Sequence, residues 1–132
     1  MPAEKDMYPF VYMSLRVRYP KKEGWEIVPQ YRGASGTYIP DFLVYKKGRK
    51  WKYVIPVEVK DECVAKQADI DQLNRYALSL TGQNVKLHAK IMVYPGGADT
   101  SIVPSDIVKM YTTTYYCNNA TPPKMVKRKL KN

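Results

Sequence analysis

VIPVEVKD, residues 54–61, combines an apolar run with two opposite charges. Side chains of a strand alternate between its faces. Ile55, Val57 and Val59 therefore share one face, and Glu58 and Lys60 share the other. The acid and the base lie about two residue rises apart, roughly 7 Å, so both ends can reach one ligand. Taken alone, the pair is equally satisfied as a salt bridge on a solvated sheet face.

The neighbouring strand narrows the choice. TYIPDFLVY (37–45) and KYVIPVEVK (52–60) flank the basic turn KKGRK, which predicts a hairpin. The midpoint of positions 41 and 58 is 49.5, so a hairpin folded there sets Asp41 opposite Glu58. A tight turn at Lys47 and Gly48 would break that register, so the loop must be wider or one strand must bulge. Two converging carboxylates beside a backbone carbonyl such as that of Val59 make an all-oxygen site for a hard cation. Magnesium takes one or two carboxylates and keeps several waters. Such an ion activates water and neutralises charge on a phosphoryl oxygen, and the Lys60 ammonium would orient or deprotonate that water.

Outside the hairpin, Met7, Phe10, Val11 and Leu15, with Val17 beside them, predict a helix over 4–19, stopped by Pro20. Pro9 belongs in its first turn or at its start. WEIVPQY (25–31) reads as a strand whose Pro29 demands an edge or a bulge, and RGASG as a loop. Ile70, Leu73, Ala77 and Leu80 form the core stripe of a helix over 65–80. KLHAKIMVY (86–94) reads as one strand with His88 as a structural imidazole, PSDIVKMY as a short helix capped by Ser105, and TTTYY as an edge strand. The order α-β-β-β-α-β predicts an α/β fold, a small mixed central sheet flanked by helices. Residues 1–118 form one domain and 119–132 a basic tail.

Composition sets the partner class. Lys and Arg number 22 against 12 Asp and Glu, a net charge of +10, which favours polyanions and above all nucleic acid. No apolar run approaches the roughly 18 to 20 residues of a membrane span, and the start lacks a secretory pattern, so no membrane and an intracellular location are expected. The two cysteines, Cys63 and Cys117, are too few for a disulfide scaffold or a four-thiolate zinc or iron-sulfur site. They are expected as ordinary semi-buried thiols.

IPD opening one strand, VEVK ending the next and QLNRY on the following helix resemble the PD-(D/E)XK nuclease superfamily. The resemblance spans roughly residues 25–94 and implies a restriction-endonuclease-like core with Mg2+, for which Mn2+ would substitute. It implies that Asp41 and Glu58 ligate the metal and that Lys60 acts on the attacking water or the scissile phosphate. Gln72 and Tyr76 match the Gln-x-x-x-Tyr element of the exonuclease-like and repair-associated branches, with Gln72 in a catalytic and Tyr76 in a nucleic-acid-binding role. At i and i+4 they share a helix face, where Asp69 and Ser79 extend a polar stripe. Many members carry an acid on the first helix; here Glu4 is the one early candidate, at a long spacing. Members with an iron-sulfur cluster use four cysteines, which this chain lacks. Holliday junction resolvases share the size and the Asp, Glu-x-Lys core, with shorter spacing.

Further nucleic-acid contacts are expected from Arg32 and Ser35, in the loop before Asp41, and from the tail residues Lys127, Arg128 and Lys129. Lys46, Lys47, Arg49, Lys50 and Lys52 crowd the hairpin tip, about 23 Å from Asp41 at strand rise, and read as a contact to flanking DNA or a solvated turn. The resulting expectation is a metal-dependent DNA nuclease, an endonuclease, working as a homodimer through the region after Tyr94. The alternatives are a non-catalytic nucleic-acid-binding module of the same fold and a junction resolvase.

Overall fold

Strand β3 (Lys52–Val59) lies at the centre of a mixed sheet in the computed structural model, which describes residues 4–29 and 40–117. On one side it pairs antiparallel with β2 (Phe42–Lys47), which pairs antiparallel with β1 (Trp25–Pro29). On the other side it runs parallel to β4 (Val85–Leu87) along its first half and to β5 (Ile91–Gly96) along its second. Strand β6 (Val108–Tyr116) pairs parallel with β5. Helix α1 (Glu4–Arg18) precedes the sheet, and α2 (Gln67–Leu80) makes the crossover from β3 to the parallel strands. The α/β architecture and its mixed sheet agree with the sequence reading.

The β2–β3 register follows from the wide loop. Phe42 pairs with Val57 and Lys47 with Lys52, leaving 48–51 as the connection, closed by the Gly48 N–H donating to the Trp51 carbonyl at 2.8 Å. The same register continued one residue past Phe42 would set Asp41 against Glu58.

Alternation on β3 divides the core in two. Ile55, Val57 and Val59, with Phe42, Val44, Ile91 and Val93, pack against Met7, Val11 and Leu15 of α1. On the opposite face Met92 and Tyr94 pack against Ile70 and Leu73 of α2 and against Val103 and Ile107. Each fully buried aliphatic side chain contributes about 1.5–3 kcal/mol of burial free energy. Glu58, paired with Met92, faces the α2 side, where it is 6% exposed.

Several local expectations are corrected. Pro9 lies inside α1, in its second turn rather than its first. The carbonyl it leaves without an intrahelical donor belongs to Lys5, an exposed residue, so the helix tolerates it. Phe10 is 40% exposed, and Leu80 is only partly buried. The strand expected over 86–94 is split into β4 and β5 by residues 88–90. His88 follows the end of β4 as an exposed ring, edge-on to Trp25 with centroids 5.2 Å apart. PSDIVKMY is not a helix. Ile107 packs on the α2 side while Val108 and Met110 pack on the α1 side, a period of two that β5 enforces by parallel pairing. Cys63 and Cys117 are joined in a disulfide, not free thiols. Backbone bonds prepare the pairing, because the Asp99 N–H donates to the Cys63 carbonyl and the Cys117 N–H to that of Gly96. Among the described residues no helix is long and apolar enough to cross a membrane.

Candidate metal centre

The two carboxylates lie at the end of the β2–β3 ladder, close enough for the charge of Asp41 to act on Glu58. Asp41 is fixed from two directions: the Tyr8 hydroxyl donates to its Oδ1, and the Val59 N–H donates to its Oδ2. Burial raises its carboxyl above the usual range, an effect these two hydrogen bonds and the Lys60 charge oppose. The phenol of Tyr8 is pushed well above its ordinary value by burial and by the Asp41 carboxylate it serves. Glu58 is different. No described residue donates a hydrogen bond to it, and its carboxyl is pushed up to about 8, by burial first and then by the charge of Asp41. A buried carboxylate without donors beside a second carboxylate is a costly arrangement.

Lys60 is the first residue past the end of β3. Its ammonium lies 3.5 Å from Asp69 Oδ1 on α2 and 3.9 Å from Glu4 Oε1 on α1, with its side chain 17% exposed. Burial works against its charge, but Asp69, Glu4, Glu58 and Asp41 together outweigh burial and raise its pKa. The lysine is therefore a held cation, suited to orienting an anion rather than to taking a proton from water. Glu4 is also raised, mainly by burial. The first-helix acid whose spacing looked too long thus arrives at the site, because α1 lies along the sheet with its N-terminus beside the end of β3.

Two carboxylates at this strand end are the oxygen donors that a hard cation would use. Its oxygens would be the buried Glu58 carboxylate, which has no donor among the described residues, and the Asp41 carboxylate held in place by Tyr8 and Val59. Among the described residues no three His, Cys, Asp or Glu side chains are grouped so as to hold a metal ion. Magnesium does not need such a group, since it binds through one or two carboxylates and retains waters.

Other expected residues are not drawn in. Gln72 is half-buried and makes no hydrogen bond or ion pair with a described residue. Tyr76 is 3% exposed, so its expected contact with nucleic acid is corrected to a packing position within the fold. Arg32 and Ser35, and Lys127, Arg128 and Lys129 of the tail, lie outside the described residues. The structure adds Tyr8, which the sequence reading passed over although it sits at i+4 from Glu4 and so shares its helix face. It adds Glu62 and Tyr94 as well, both near enough to Asp69 to feel its charge. Comparison with protein-family models, with curated proteins and with solved structures found no match.

Proposed function

We infer that the chain is a metal-dependent nuclease that hydrolyses phosphodiester bonds of DNA, acting as an endonuclease on a restriction-endonuclease-like core. The observation that carries this reading is Glu58, a buried carboxylate with no donor among the described residues, beside the Asp41 carboxylate and two residues from a held ammonium. A fold gains nothing from such a group in isolation, whereas a hard cation turns its cost into affinity.

When bound, Mg2+ or Mn2+ would lower the pKa of a coordinated water and neutralise charge on the phosphoryl group. The chain's own residues supply placement. Tyr8 and the Val59 N–H fix the Asp41 carboxylate so that it need not reorganise. Glu58 supplies the second negative ligand, and Lys60 presents a cation to the non-bridging oxygens of the phosphate. The net charge of +10 draws the polyanionic substrate toward the protein. A pair of copies would bring two such centres to the two strands of a duplex.

Incubation of supercoiled plasmid with Mg2+ or Mn2+ tests the reading. Nicked and linear products are expected, absent with EDTA, and Lys60→Ala and Asp41→Asn should each slow the reaction by about 10²- to 10⁴-fold. Tight, metal-independent DNA binding with no cutting would instead support a non-catalytic module. Preference for four-way junctions over linear duplex would support a resolvase.

A further inference from the structure

At the end of the sheet away from Asp41 and Glu58, three rings and one ammonium line an open cleft of about 320 Å³. Trp25, Lys46 and Tyr53 are register partners on β1, β2 and β3, so they form one row across one face of the sheet. That face is the one α1 covers, because Tyr53 alternates with Ile55 and Val57. The helix stops at Arg18 and Tyr19 packs edge-on against Trp25, with centroids 5.1 Å apart, so the row lies past the end of the helix. His88 completes the lining. Its N–H donates to the Val54 carbonyl at 2.8 Å, and its exposed ring stands 5.2 Å from Trp25 and 6.2 Å from Tyr53, steeply inclined to both at 61° and 81°. Lys46 Nζ lies 5.6 Å from the centre of the Trp25 ring, and no described acid forms an ion pair with it.

This lining selects its ligand. Ring faces and edges favour a flat π-system, and an ammonium without a counter-charge favours an anion attached to it. A methylated ammonium, another guest of aromatic clefts, is repelled by Lys46. An unpaired nucleobase with its phosphate meets both demands. Several phosphates suit the surroundings better than one, because Lys47, Arg49 and Lys50 follow Lys46 as exposed cations at the hairpin tip. We propose that the cleft is a stacking site for an unpaired base of a single-stranded nucleic acid, with His88 and Tyr53 against the base and Lys46 on its phosphate. A single cation–π contact holds Lys46 over Trp25, weak enough at a half-buried site for the ammonium to turn to a phosphate. Tyr53 precedes Glu58 by five residues, about 17 Å at strand rise, and points to the other face of the sheet. The cleft therefore holds a flanking stretch of strand rather than the nucleotide under attack. It shares the nucleic-acid partner of the nuclease reading and needs no cleavage.

Fluorescence anisotropy of a labelled oligothymidylate of about twelve nucleotides, with the full chain in EDTA, tests the site. The reference is an abasic strand of the same length, which keeps the phosphates and lacks the bases. Wild type should bind the oligothymidylate about 5- to 100-fold more tightly than the abasic strand, the range that stacking of one base supplies. His88→Ala, at an exposed position whose backbone bond stays, and Tyr53→Ala should bring that ratio close to one with little change toward the abasic strand. Lys46→Met should weaken both strands and flatten the salt dependence, as loss of one phosphate contact does. Equal binding of the two strands by wild type, or a ratio unchanged in His88→Ala, would overturn the proposal. Thymidine monophosphate competing as well as the oligonucleotide would overturn a strand as the occupant. A chain that shows the base preference but cuts nothing keeps the cleft and removes the nuclease reading; a chain that cuts without the preference does the reverse.

Discussion

Glu58 costs the fold stability. A carboxyl whose pKa is raised from 4.5 to about 8 on folding binds its proton more tightly in the native state than in the unfolded one. Stability therefore falls as pH climbs from about 4.5 to about 8, and the whole penalty is present above that window. Glu58→Gln keeps the shape and removes the ionisation. It should stabilise the metal-free protein by about 1–3 kcal/mol at pH 8.5 and change little at pH 4, while abolishing cleavage. Urea titrations at the two pH values in EDTA check this, and equal stabilities of the two proteins at pH 8.5 would show that Glu58 is not strained. Asp41 offers a contrast, because two hydrogen bonds oppose the effect of its burial. These roles were partly legible in sequence: alternation alone placed Glu58 and Lys60 on one face. The donors to Asp41 were not, since a backbone N–H and a tyrosine on another element leave no local pattern.

Among elements, the β2–β3 hairpin was the most legible. Two alternating runs around a basic turn give its strands, and a single register brings Asp41 to Glu58. The helices were readable from their apolar stripes, with boundaries shifted by one or two residues. Elements whose conformation depends on a distant neighbour were misread. The sequence of β6 allows a helical turn near Ser105, but parallel pairing with β5 and burial on two faces select a strand. The disulfide belongs to the same class of long-range fact. It joins residues 54 apart in sequence, and backbone bonds from Asp99 to Cys63 and from Cys117 to Gly96 at the end of β5 bring them together. It closes a long loop that spans α2, β4, β5 and β6, so its loss should cost about 2–4 kcal/mol. Thermal melts with and without a reductant check this: a clear fall in Tm is expected, and coincident melts would contradict it. A stable disulfide is uncommon in a reducing cytosol, so the bond weighs against the intracellular expectation for any host without an oxidising interior.

At the scale of the whole molecule, the centre exists only when four parts of the chain converge. Glu4 and Tyr8 come from α1, Asp41 from the entry to β2, Glu58 and Lys60 from the end of β3, and Asp69 from α2. Such convergence explains why Glu4 looked remote in sequence: 37 positions separate it from Asp41, and α1 spans the sheet to return its first turn to the site. It also explains why the strongest local motif, Glu58-Val59-Lys60, sits on the central strand, where both faces are covered and side chains are least free to move. The most direct measurement is the anomalous diffraction of a crystal soaked in Mn2+. The account predicts one strong peak within about 2.5 Å of oxygens from both Asp41 and Glu58, with the Lys60 ammonium nearby. A soaked crystal with no peak there, or with the two carboxylates turned apart around ordinary solvent, would contradict it.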